Sequence, residues 1–153
     1  MTEQIARTSM PIEMKVGSHV IGNGHPTFFM VEEGQANEGN YELAIRMIGL
    51  TAQTGANAIE FQFAIADDLY VRTHPAHAVY KSREFSREQL VSLRMIAEEY
   101  HLLIVGSPLS DNLVTQLVEA GYPLLDINSS DLVNPRMLDA IAETGVPFMV
   151  GTA

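Results

Sequence analysis

Three times in this chain a helix-like stretch ends in a glycine and steps at once into an apolar run. Ala52-Gln53-Thr54-Gly55 precedes Ala58 to Phe63, Val118-Glu119-Ala120-Gly121 precedes Pro123 to Ile127, and Ala142-Glu143-Thr144-Gly145 precedes Val146 to Val150. Glycine at such a point tolerates the left-handed backbone that ends a helix. Short continuous apolar runs suit strands buried on both faces. Helices alternating with strands of that kind imply parallel pairing through right-handed crossovers, an α/β protein.

The rest of the chain fits this rhythm. Ile12 to Val16 and His19 to Ile21 alternate apolar and polar about Gly17-Ser18, which predicts a small N-terminal hairpin. Thr27 to Val31 reads as the first parallel strand, buried on both faces. Asn40 can cap a helix over Tyr41 to Gln53, and Ala58 to Phe63 is the second strand. Ala64 to Phe85 loses periodicity and reads as a long loop. Ser86-Arg87-Glu88-Gln89 has capping-box spacing ahead of Leu90, Leu93, Ile96 and Ala97. Leu102 to Val105 is the third strand, and a helix from about Ser110 to Ala120 leads to the fourth, Pro123 to Ile127. Asn134-Pro135 starts a helix carrying Met137, Leu138 and Ile141, and Val146 to Val150 is the fifth strand. Five parallel strands and four helices are expected, within one domain over residues 12–153 behind a flexible tail of residues 1–11. A closed eight-unit barrel typically needs about 250 residues, and this chain has 153. The choices are the first half of a TIM-type (β/α) barrel or a small open doubly wound sheet.

Composition excludes several classes of function. Nineteen acidic against nine basic residues leave a net charge of −10, and only Lys15 and Lys81 are lysines. That balance repels phosphate backbones and anionic lipid, so neither nucleic acid nor a membrane surface is an expected partner. The chain has no cysteine, which removes disulfides, thiolate metal sites and a cysteine nucleophile, and fits a cytoplasmic protein. No apolar run approaches a membrane span.

The candidate chemistry sits where the first strand ends, in Phe28-Phe29-Met30-Val31-Glu32-Glu33-Gly34. Parallel α/β folds bind ligands at the C-terminal ends of their strands, so Glu32 is the candidate working residue; a solvated rim carboxylate is the plainer alternative. Glu60, Asp126 and Asp131 could form an acidic strand-end cluster for a divalent cation. His74 and His77 could pair on a metal, although a solvated loop explains them more simply. His101 reads as a packed or capping residue. Gly22-Asn23-Gly24 and Gly34 to Gly39 lack the spacing of a nucleotide-binding loop.

These segments together resemble the N-terminal part of the sialic acid synthase (N-acetylneuraminate synthase) family. Val31-Glu32-Glu33-Gly34-Gln35-Ala36-Asn37-Glu38-Gly39 is similar to the family's first strand and turn. Gly55-Ala56-Asn57-Ala58-Ile59-Glu60-Phe61-Gln62 is similar to its second strand, and Gly106-Ser107-Pro108-Leu109 to its third. Leu125 to Leu132 and Gly145 to Thr152 are similar to the fourth and fifth. The resemblance implies a barrel enzyme that condenses phosphoenolpyruvate with an N-acetylated amino sugar and uses a divalent metal, Mn or Mg. The ligands of that metal are not identifiable in this chain. It implies Glu32 as the catalytic acidic residue on the sugar side, with Gln62, Ser107, Ser129, Asp131 and Thr152 as substrate-binding residues. It also implies a homo-oligomer, or a second half-barrel that completes the first.

The sequence departs from the family at telling places. Glu60 and Asp126 occupy the positions of two family lysines that face the anionic substrate, which reverses the local charge by four units. Asn37 replaces a histidine, and Gly151 a serine. Arg72, Lys81 and Arg83, in the long loop, could fold over the mouth and substitute for the missing cations. A non-catalytic sugar-binding or assembly module of the same family is therefore the alternative reading.

Overall fold

The computed structural model describes residues 13–152. The expected tail of residues 1–11, the start of the hairpin at Ile12 and the terminal Ala153 lie outside that range. The hairpin forms from β1 (Glu13–Val16) and β2 (His19–Gly22), paired antiparallel. Then come β3 (Met30–Gly34), α1 (Tyr41–Gln53), β4 (Ala58–Phe63), α2 (Ala66–Leu69), α3 (Pro75–Lys81), α4 (Arg87–Glu99) and β5 (Leu103–Pro108). The chain continues through α5 (Asp111–Glu119), β6 (Leu124–Ile127), a 3-10 turn over Ser129–Val133, α6 (Pro135–Ala142) and β7 (Phe148–Val150). Among these residues no helix is long and apolar enough to cross a membrane.

The five strands β3 to β7 are parallel and neighbours in chain order. Right-handed crossovers that always advance in one direction leave every helix on the same face. The packing shows this. Ile59, Phe61, Phe63, Ile104, Leu125 and Ile127 meet α1, α4, α5 and α6 through Ile48, Leu93, Leu117 and Ile141. The alternate residues Ala58, Val105 and Leu124 face the other way and pack against Val16 of the hairpin. A doubly wound sheet, with helices on both faces, is thereby excluded. The chain forms half of a TIM-type barrel whose concave face is closed at the bottom by the hairpin.

Local signals account for most element boundaries. Asn40 accepts from the Leu43 amide at 3.0 Å, and Ser86 and Gln89 make both bonds of a capping box. Gly55, Gly121 and Gly145, the three glycines of the repeat, all have positive φ. Gly106 faces α5: a Cβ there would lie 2.9 Å from both Leu117 and Tyr122, so the third strand can meet its helix only through a residue without a side chain.

The structure corrects two expectations. The first strand begins at Met30, three residues after Thr27, and is not buried on both faces. Phe29 is 57% exposed; its amide donates to the Asn57 side chain, and its carbonyl accepts from the amides of Asn57 and Ala58. The long loop also contains α2 and α3, raising the number of α-helices to six among the described residues. His74 caps α3, accepting from the Ala76 amide at 3.1 Å, and Pro75 occupies the first turn.

Candidate functional site at the strand ends

β3, β4 and β6 bring three carboxylates onto the concave face. Glu32 pairs in register with Glu60, and Glu60 with Val105. Asp126 pairs with Met149 of β7. The register slips between Glu32 and Gly34, a bulge that sends the two adjacent glutamates to different tasks. Glu33 turns into the β3–α1 connection, where it accepts from the backbone amide of Asn37 and, at 2.9 Å, from its side-chain amide. Asn37 is 3% exposed and also accepts from the Gly39 amide at 2.8 Å. Burial pushes the Glu33 carboxyl up, against the bonds from Asn37. Glu33 and Asn37 therefore build the turn, and Glu32 remains exposed and uncommitted.

Glu60 is 1% exposed, and neither of its carboxylate oxygens has a hydrogen-bond partner. Burial pushes its pKa from 4.5 to about 8, helped by the neighbouring charges of Glu32, Asp126 and Glu33; the nearby Gly34 amide opposes this weakly. The Asp126 carboxyl is raised too, by burial and by Glu32. The mutual repulsion of these groups is the expected result of placing like charges in a partly dry pocket.

The hydroxyl and amide residues implied for substrate binding gather at the same end. Gln62 pairs in register with Ser107, and its side-chain amide lies against Gly34. Ser107 is fully buried and accepts a hydrogen bond from Asn128 at 3.1 Å. Ser129 and Thr152 are exposed and adjoin through Gly151, where an added Cβ would stand 3.1 Å from the Ser129 backbone nitrogen. A side chain at Gly151 would therefore press on the Ser129 backbone. Asp131 is engaged elsewhere: its carboxylate accepts from Asn134 at 3.0 Å at the start of α6.

Residues proposed for metals or for covering the mouth are committed locally. Asp67 gathers Arg72 and His77, each at 3.1 Å, and Lys81 binds Glu84 at 2.7 Å and Arg83 meets Glu38 at 3.6 Å. All three loop cations are thus paired with carboxylates of their own surroundings. His74 stacks on Tyr70, and His77 contacts Asp67, so each ring already has a local partner. Among the described residues, no three His, Asp or Glu side chains converge closely enough to hold a metal ion. The acidic trio of Glu60, Asp126 and Asp131 is therefore not a cation cage. The divalent-metal site implied by the resemblance is not built by these residues. A cavity of about 400 Å³ lies at the opposite end of the strands, lined by Ser18, His19, Arg94, His101 and Pro123. His101 has a left-handed φ of 58° there.

Sequence reasoning missed Glu33, Asn37 and Asn128 as the residues that hold the site together. The spacing of Glu33 and Asn37 four apart around a glycine was the available signal; nothing local announces that Asn128 reaches Ser107.

A one-sided parallel sheet with its polar residues at the strand ends defines half of a TIM-type (β/α) barrel. Residues 47–153 match the family described as the NeuB family, and the chain belongs to that family. It is 27% identical to human N-acetylneuraminate-9-phosphate synthase, a match spanning 94% of this chain and 44% of that protein. An uncharacterized protein of Methanocaldococcus jannaschii is 29% identical over 92% of this chain and 42% of its own length. The chain thus spans less than half the length of these relatives. Among solved structures, the N-acetylneuraminic acid (sialic acid) synthetase of Leptospira borgpetersenii superposes with a TM-score of 0.85 at 28% identity, over 92% of this chain and half of that one. A truncated 3-deoxy-D-arabino-heptulosonate 7-phosphate synthase from Thermotoga maritima shares the fold, with a TM-score of 0.65 at 16% identity.

Proposed function

We propose that this half-barrel contributes to sugar-acid biosynthesis. In the completed barrel, phosphoenolpyruvate, an N-acetylated amino sugar and one water combine, a carbon–carbon bond forms, and phosphate leaves. The observation that carries this reading is the gathering of Glu32, Gln62, Ser107, Ser129 and Thr152 at the C-terminal strand ends in a member of the NeuB family. Glu32 is the catalytic acidic residue on the sugar side, its free carboxylate accepting from sugar hydroxyls. Ser129, Thr152 and Gln62 supply donors to the carboxylate and phosphate of the other substrate. The absence of cysteine supports a cytoplasmic setting. Exposed edges at β3 and β7 call for either a second copy of the chain or a further half-barrel beside them.

One observation favours a second reading. Glu32, Glu60 and Asp126 repel one another, and a phosphoenolpyruvate anion brought to that face meets the same repulsion. A module that binds the sugar without turnover is the alternative. Assaying phosphate release from phosphoenolpyruvate with an N-acetylhexosamine and added Mn or Mg separates them. Sugar-dependent release supports the enzyme; saturable sugar binding without release supports the module.

A further inference from the structure

Glu60 is the residue that the proposed reaction leaves without a task. It projects from the middle of β4 on the concave side, between Glu32 in register on one strand and Val105 on the other. It is almost wholly buried, and both oxygens lack a partner. Folded proteins rarely leave a carboxyl group in that state, since the unmade hydrogen bonds cost stability. Among the described residues, none of Glu32, Glu60 or Asp126 takes part in an ion pair, although nine pairs form elsewhere.

We propose that Glu60, with Glu32 and Asp126, is the receptor for an organic cation, an alkylammonium group, on the concave face of the half-barrel. Three observations select this chemistry. Among the described residues, no cation pairs with any of the three carboxyl groups. The carboxylates do not converge as a metal ion requires. Apolar side chains alternate with them, Val105 beside Glu60 and Met149 beside Asp126, and an alkyl stem can lie along that surface while its charged head reaches the carboxylates. The inference holds for either reading of the reaction, because Glu60 and Asp126 have no task in either and only Glu32 is shared with the sugar side.

Proton linkage follows. The titratable groups facing Glu60 are Glu32 and Glu33 from β3 and Asp126 from β6; β5 and β7 carry no charged residue. With a pKa of about 8, Glu60 is mostly protonated at neutral pH in the free chain. An arriving ammonium favours the carboxylate, so binding at pH 7 expels about one proton, and affinity rises about tenfold between pH 7 and pH 9. An alkylammonium, like a lysine side chain, stays charged over most of that range.

The test is calorimetric titration of the chain with n-butylammonium chloride at constant ionic strength, in buffers of different ionisation enthalpy, with n-butanol as the neutral control. Saturable binding with release of about one proton, absent for butanol and at least tenfold weaker in Glu60→Gln, supports the proposal. The same ammonium group could come from a free amine or from a lysine of a second copy. Affinity independent of protein concentration identifies the free amine. Affinity that weakens as protein concentration rises, and recovers in Lys15→Gln or Lys81→Gln, identifies the lysine. Equal binding in wild type and Glu60→Gln, or no Glu60-dependent binding or proton release at any protein concentration, overturns the proposal. The Gln variant's circular dichroism and melting curve, compared with wild type, show whether it is folded.

Discussion

Replacing Glu60 by glutamine is expected to stabilise the chain in a pH-dependent way. The folded-state pKa is about 8 against an ordinary 4.5, so between those values the unfolded chain has released a proton that the folded chain still holds. The folded form then binds more protons, and stability falls as pH rises. The contribution is fully present below about pH 4.5 and is lost by about pH 8. At about 1.4 kcal/mol per tenfold change in ionisation constant, the whole loss is on the order of 5 kcal/mol. That is a large share of the 5–15 kcal/mol that roughly bounds a domain's stability. Glutamine keeps the shape and cannot ionise. Near pH 4.5 the two proteins should differ by about 1 kcal/mol or less, and the advantage of the variant should then grow with pH and level off above pH 8. The assay is urea unfolding followed by far-ultraviolet circular dichroism at half-unit steps from pH 4.5 to 9, because the chain has no tryptophan to report by fluorescence. Glu33 and Asp126 are also raised, so the difference between the proteins isolates Glu60. Parallel stability profiles across that range would refute the reasoning, since Glu60 would then be solvated or paired.

Three further outcomes follow from single contacts. Gly106→Ala forces a Cβ to within 2.9 Å of Leu117 and Tyr122 and should cost about 1–3 kcal/mol in the urea midpoint. Ser86→Ala removes one half of the capping box on α4 and should cost about 1 kcal/mol by the same measurement. Gly39→Ala combines a φ of 79° with a contact of 2.5 Å on the Arg83 backbone, so the segment over residues 82–83 must part from the β3–α1 turn. Amide exchange around Ser82 and Arg83 should accelerate at least tenfold, while α4 keeps its protection.

The helices were legible because their ends are written locally. Asn40, Ser86 with Gln89, and Asn134 with Pro135 each mark a start that the structure places within a residue of expectation. β4 was equally legible, since its apolar outer residues Ile59, Phe61 and Phe63 alternate with the inner Ala58, Glu60 and Gln62 at the period of a strand. β3 was not. The apolar run from Thr27 suggested an earlier start, yet pairing depends on Asn57, a residue on another strand's approach. α2 and α3, with four and seven residues, are too short for periodicity to reveal, although His74-Pro75 carried a cap signal. At the site, the sequence marks Glu32 and Glu33 alike, and only the bulge separates the turn-building glutamate from the free one. The solitude of Glu60 is a property of three strands at once, and no stretch of sequence contains it.

Ligand is expected to meet this chain at the strand-end mouth, through Glu32. Saturation-transfer NMR with an N-acetylhexosamine tests it on three proteins: wild type, Glu32→Gln, and His101→Gln in the cavity at the opposite end. The expected result is a signal in wild type, at least a tenfold loss of affinity in Glu32→Gln, and no change in His101→Gln. Undiminished binding in Glu32→Gln, or binding lost only in His101→Gln, would contradict it.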